Sequence, residues 1–299
     1  MLLTPQAKRR NWGLAALFLL PSLLIFGVFI FYPFVENFRL AMFQTPPFPN
    51  LPSKFVGLSQ FKSVLTSSTF IQSLISTLLF VVMVVPAGLL LGLALAVAAN
   101  KAIRGISVFR IIFSSTVVTS VAVGAVIFGT LMNPVVGFLP WLGIDPSPPL
   151  LQNPTWALPS VAVIAIWQFL GLSFIVMLAG LQSLPEEVLE ASRIDGAGSW
   201  TTFWRITVPM LSPTIFFGVV VGTIYAFQSF GQIDILIGPD NAAQVHANVL
   251  LYYIYQSIQG TAPNPGQAAV LSIVLFVIIL GFTLFQFRFL ERRVHYAGG

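Results

Sequence analysis

The 299-residue chain is 57% hydrophobic and 8% charged, with a net charge of +5, a mean hydropathy of +0.91 and no cysteine. A soluble domain carries about 25% charged residues, so this chain cannot cover a water-facing surface and its main solvent is lipid. Disulfides, thiol catalysis and cysteine metal sites are excluded, two lone histidines (His246, His295) make no metal cluster, and basic residues scattered between apolar runs do not fit nucleic-acid binding.

The cytoplasmic start, residues 1–13, holds Lys8, Arg9 and Arg10. Leu14 to Val35 follows as a first membrane helix. It is too long for a signal-peptide core, and Tyr32-Pro33-Phe34 takes the place of a cleavage site. An outer loop, 36–68, combines a proline-rich extended stretch, Gln44 to Lys54, with a short amphipathic surface helix over Phe55 to Phe61. Thr69 to Ala99 is the second span, able to kink at Pro86, and Ile111 to Met132 is the third. Residues 133–157 form a turn-rich outer loop before the fourth span, Leu158 to Ala179. The cytoplasmic segment 180–212 separates it from the fifth span, Pro213 to Gln232. A third outer loop, 233–267, contains the more helical HANVLLYYIYQSI; the sixth span, Ala268 to Phe287, leads into the cytoplasmic tail 288–299. The expected fold is an all-α integral membrane protein with six transmembrane helices, because only helices satisfy every backbone group inside a lipid-exposed segment.

Lys and Arg set the orientation. With the N-terminus inside, Arg39, Lys54 and Lys62 are outside and the other eleven of the 14 basic residues are inside. The C-terminus is then cytoplasmic as well.

Residues 185–209, PEEVLEASRIDGAGSWTTFWRITVP, concentrate six of the 23 charged residues between two apolar spans. Ser183-Leu-Pro-Glu186 has the spacing of a capping box, giving a helix from Pro185 to about Ile194. Gly196-Ala-Gly198 breaks it, and Ser199 is placed to cap a second helix carrying Trp200, Phe203 and Trp204. Such a knob either inserts into a groove on a soluble partner or rests on the bilayer.

Glu190-Ala191-Ser192, three residues, Gly196, nine residues, Ile206-Thr207-Val208-Pro209 resembles the EAA signature of ABC importer permeases. Every spacing matches; Ser192 stands for the second alanine and Val208 for leucine. Phe55-Val-Gly-Leu58, Met132-Asn-Pro134 and Leu181-Gln-Ser-Leu-Pro185 are similar to permeases of the MalF-like sugar class. Ile194-Asp-Gly-Ala-Gly198, Tyr225-Ala-Phe227 and the tail around Gln286 and Arg288 resemble most the first permease subunits of glycerol-3-phosphate and glycerophosphodiester importers.

The resemblance implies a type I ABC importer permease fold (MetI/MalF-like) in the bacterial inner membrane. It implies a second homologous permease, two cytoplasmic ATPase subunits that bind the ATP and Mg²⁺, and an external substrate-binding protein. Glu190, Ala191, Ser192, Asp195, Gly196, Ile206 and Pro209 would form the coupling element that docks on the ATPase. No Gly-x-x-x-x-Gly-Lys-Ser/Thr phosphate loop occurs, so no cofactor is expected in this chain itself.

Polar residues inside the spans are candidates for the substrate pathway: Trp167, Gln168 and Ser173 in the fourth, and Tyr225, Gln228, Ser229 and Gln232 in the fifth. Tyr225, Gln228 and Gln232 repeat at three and four residues, one helix face. The other reading of these side chains is hydrogen-bonded glue between helices. No Arg or Lys lies in a span to meet a phosphate, so a neutral sugar such as a disaccharide fits the chemistry as well as glycerol-3-phosphate does. The absence of intramembrane carboxylates and histidines argues against an ion-driven carrier and a membrane enzyme.

Overall fold

A computed structural model describes residues 17–44, 53–101, 104–144, 146–239, 241, 243–260 and 262–294. The N-terminal start with Trp12, most of the proline-rich loop and the end of the tail lie outside the described residues.

Four helices are each long and apolar enough to cross a membrane: α1 (Leu17–Ala41), α3 (Ser68–Ala99), α6 (Ala157–Gln182) and α12 (Pro265–Phe289). Two bent pairs raise the number to six where each pair is taken as one broken span. The first is α4 (Ile106–Val118) with α5 (Val121–Leu131), and the second is α8 (Ser199–Met210) with α9 (Ser212–Phe227). Shorter helices are α2 (Ser59–Leu65), α7 (Glu186–Ile194), α10 (Gly231–Leu236) and α11 (Leu250–Gln259).

The contacts divide the chain into two units. The smaller comprises 1–65 and 256–274. In it α1 passes through a π turn, Gly27–Phe31, and Phe43-Gln44 pairs antiparallel with Lys54-Phe55. The surface helix expected over Phe55 to Phe61 is displaced: Phe55 is in that ladder, Gly57 turns the chain at φ +54°, and α2 begins at Ser59.

The larger unit, 66–255 with 275–299, carries the packed core. There α3 and α6 approach closely because small residues face large ones. A Cβ on Gly88 would sit 2.5 Å from the Phe169 ring, and one on Gly222 of α9 would sit 2.6 Å from the same ring. Phe169, 2% exposed, is therefore held between two glycines on two different helices. Gly88 and Gly92, like Gly218 and Gly222, have the i, i+4 spacing that lets membrane helices meet backbone to backbone.

The third window is not one helix. α4 and α5 meet at 106° across Thr119 and Ser120, which are extended. The run Ser114 to Ser120 supplies the reason. Ser115 and Thr116 donate to the carbonyls of Ile112 and Phe113 at 2.7 and 3.1 Å, and the Ser120 hydroxyl caps α5 by accepting from Val123 N–H at 3.2 Å. Hydroxyls that bond nearby backbone make a bend tolerable in lipid. The fifth window is also interrupted: α9 ends at Phe227, and Gln232 belongs to α10 after a turn through Phe230.

Candidate functional site

The segment after α6 forms a helix, a tight turn and a second helix. α7 spans Glu186–Ile194, with Glu186 and Glu187 at its positive end and Arg193 at its negative end, as the helix dipole favours. Its start differs from the expected capping box. Pro185 occupies the N-cap without a side-chain bond, and Ser183 instead donates to the Gly180 carbonyl at 2.8 Å, closing α6. Likewise Gly198, not Ser199, is the N-cap of α8.

The end of α7 is a complete Schellman turn. Ala197 N–H donates to the Ser192 carbonyl at 3.0 Å and Gly196 N–H to the Arg193 carbonyl at 3.1 Å. Gly196 sits at φ +77° to make this possible. A side chain there would meet nothing within 4 Å, so the requirement for glycine is conformational rather than steric.

The two faces of α7 differ. Ser192 is 4% exposed, donates to the Leu189 carbonyl at 2.8 Å and lies 3.4 Å from the Thr202 hydroxyl of α8. Its small side chain fits between the two helices. Glu187, Glu190 and Ala191 are exposed, and Ile194 is 85% exposed beside them. Asp195 is exposed; Ile206 and Pro209, farther along α8, are half-buried. An apolar anchor among carboxylates is the composition of a docking face with a charged rim.

Deeper in the larger unit, polar side chains meet at the break between α4 and α5 and at the turn between α9 and α10. Gln232 donates through Nε2 to Gln168 Oε1 at 2.7 Å, and Gln168 Nε2 reaches the Ser120 carbonyl at 3.4 Å. One glutamine of α6 thus joins the break between α4 and α5 to the break between α9 and α10. Tyr225 stacks on Phe169 with centroids 5.5 Å apart, and its hydroxyl is buried beside Gln232 and Ser229. Ser229 donates to the Tyr225 carbonyl at 3.0 Å, satisfying the open end of α9.

Comparison with known proteins bears on this architecture. Residues 65–296 match the model of the family described as binding-protein-dependent transport system inner membrane component. The chain belongs to that family. Among curated relatives, the permease is 34% identical to the sn-glycerol-3-phosphate transport system permease protein UgpA of Agrobacterium fabrum, over 96% of this chain and 97% of the relative. It is 34% identical to the protein of that name from Yersinia enterocolitica, with 96% of each chain covered. Among solved structures, a bacterial ABC transporter involved in import of the acidic polysaccharide alginate aligns with a TM-score of 0.81 at 25% identity, covering 95% of the permease and 96% of that chain. The MetNI methionine ABC transporter shares the fold alone, at 14% identity and a TM-score of 0.52, covering 77% of the permease and 100% of that chain. The permease is accordingly an all-α, multi-pass inner-membrane subunit of an ABC importer.

Within the permease, the candidate pathway residues do not form one row. Gln168, Tyr225, Ser229 and Gln232 come together, whereas Gln228 is exposed at the C-cap of α9. The shared helix face expected for Tyr225, Gln228 and Gln232 is lost because the helix stops at Phe227. Ser173 is 2% exposed against Gly92, in the α3–α6 contact. Trp167 packs on Phe128 of α5 with centroids 5.2 Å apart. Two contacts escaped sequence reasoning. Arg110 donates to the Ala99 carbonyl at 2.9 Å, capping α3, and Gln286 donates to Thr223 at 2.8 Å, joining α12 to α9. The single glutamine in the apolar window Ala268 to Phe287 is the signal for the second.

Gln232→Leu strands the Gln168 amide and destabilises the permease by about 1–3 kcal/mol; the double variant Gln168→Leu/Gln232→Leu costs less than the sum of the two single changes. A denaturant titration of the purified complex reads both. Ser192→Ala keeps a small residue between α7 and α8 and loses a hydroxyl already bonded within its own helix. It leaves the ratio of solute imported to ATP hydrolysed unchanged, whereas Ser192→Leu forces the helices apart and lowers that ratio.

Proposed function

We propose that this permease forms half of the translocation pathway of an ATP-driven importer for glycerol-3-phosphate or glycerophosphodiesters. The observation that carries this reading is the 34% identity to permeases named for sn-glycerol-3-phosphate transport over nearly the whole of both chains. The complex contains a second, homologous permease, two cytoplasmic ATPases and an external binding protein. ATP and Mg²⁺ are bound by the ATPases, and this chain has no ATPase site of its own.

The coupling element is the α7–Gly196–α8 hairpin, in which Glu190, Ala191, Ile194 and Asp195 meet the ATPase and Glu190 pairs with a basic residue there. Ser192 and Gly196 keep the hairpin rigid, and Ile206 and Pro209 carry its movement into α9. Closure of the ATPase dimer pulls the hairpin, and the bent spans rock about their breaks. Gln168, Tyr225, Ser229 and Gln232 lie where α6, α9 and the breaks converge, so they change neighbours between inward- and outward-facing states. Trp167 and Gln228 flank that region.

A second reading, import of a neutral sugar, is favoured by the lack of Lys and Arg in the six charge-free windows. In the first reading the phosphate charge is met by the binding protein, by helix N-termini or by the partner permease. ATPase stimulation of the reconstituted complex with its binding protein decides between them. Stimulation by glycerol-3-phosphate and not by a disaccharide is expected; the reverse order replaces the first reading with the second.

A further inference from the structure

A cavity of about 780 Å³ opens between the end of α3 and the α7–α8 hairpin. Its volume lies in the range of sites for small organic ligands, roughly 300–1,000 Å³. Its wall along the span is apolar, made by Leu90, Leu93 and Val97. Its mouth carries Lys101 at the end of α3 and Arg193 on the inner side of α7, and no acidic residue is among the described residues that line it. Trp200 and Trp204, 75% and 50% exposed, stand at 5.7 Å from one another beside this mouth. Glu190 and Ile194, the docking face of α7, are not part of the lining.

Depth decides what can occupy it. Leu90 lies nine residues before Ala99, about 14 Å along the helix from the end of the span. The hydrocarbon half of a bilayer is about 15 Å thick. An acyl chain reaches that depth from the inner leaflet; a soluble subunit at the membrane surface does not. Two basic groups at the mouth match an anionic headgroup, and paired tryptophans are the side chains that favour the interfacial level.

We propose that this groove is a binding site for an anionic phospholipid of the inner leaflet, with its phosphate at Lys101 and Arg193 and one acyl chain along Leu90, Leu93 and Val97. Because the same lipid touches the span and the back of the coupling hairpin, its occupancy stiffens the hairpin against the span. This assignment does not depend on which solute is imported.

The test uses the intact complex, purified with its partner subunits and analysed by native mass spectrometry after exchange into detergent doped with phosphatidylglycerol or phosphatidylcholine. The wild type is expected to retain phosphatidylglycerol and not phosphatidylcholine. Retention falls roughly fivefold in Lys101→Gln, the effect of one basic side chain beside an anionic headgroup. Leu93→Trp, which fills the apolar wall without touching a charge, also lowers it. Equal retention of both lipids, or of phosphatidylglycerol by wild type and both variants, overturns the assignment. Displacement by inorganic phosphate identifies a soluble-anion site instead. As a second readout, a photo-reactive amino acid at position 93 of the complex in its native membrane is expected to yield a lipid adduct; an adduct with another protein subunit shows a protein-filled groove and overturns the proposal.

Discussion

Replacing Gly196 by proline is expected to abolish solute uptake by the reconstituted importer while the permease still inserts and assembles. Gly196 sits at φ +77°, and proline holds φ near −65°, so the turn that ends α7 cannot form. The substitution also removes the N–H that donates to the Arg193 carbonyl. α7 then no longer projects from α8 at a fixed angle, and under the proposed coupling role force applied to it is not passed to α9. Uptake falls by at least about tenfold, because each 1.4 kcal/mol lost from the productive geometry is a factor of ten. ATP hydrolysis continues, freed from dependence on the loaded binding protein. Gly196→Ala gives a graded control. The added methyl meets nothing within 4 Å, so only the left-handed backbone is penalised, by roughly 1–2 kcal/mol. Its uptake lies between wild type and the proline variant. Glu190→Lys acts on the docking face instead of the turn and lowers uptake with the helices intact.

The second large effect is expected in the membrane core. Gly88→Leu drives a side chain into the Phe169 ring, which is also pinned by Gly222. Overpacking of this kind costs about 1–3 kcal/mol, and Phe169→Ala, which opens a cavity at a residue only 2% exposed, costs about 3–5 kcal/mol. The double variant Gly88→Leu/Phe169→Ala loses less than the sum, by about 1 kcal/mol or more, since the new leucine enters the space the ring leaves. Equilibrium unfolding of the purified complex in a denaturing detergent measures all three. Strict additivity would show that the three helices do not meet through this ring.

These expectations show how far a sequence of this kind can be read. Charge-free windows locate spans because lipid excludes charge, and α3, α6 and α12 run close to the windows that mark them. The glycine turn is legible because few residues but glycine adopt φ +77° and a helix precedes it. Hydropathy is blind to the break at Thr119 and Ser120, since Ser and Thr are mild on any transfer scale while their hydroxyls compete for backbone partners. Ser183 shows the same ambiguity from the other side. Its spacing to Glu186 fits a cap for the following helix, yet its hydroxyl closes the preceding one. The Gln168–Gln232 bond joins residues 64 apart in sequence, beyond the reach of any local pattern.

The central claim is that the hairpin around Gly196 is the cytoplasmic contact through which ATP turnover moves the spans. The chain contains no cysteine, so Ile194→Cys creates a unique thiol at the most exposed apolar position of the docking face. In oriented membrane vesicles, the measurement is its labelling by a membrane-impermeant maleimide, with and without the ATPase subunits, followed by bifunctional cross-linking. The thiol is expected to react only from the cytoplasmic side, to be protected when the ATPases are assembled and to cross-link to one of them. Labelling from the outer side, or equal labelling with and without the ATPases, would contradict the account.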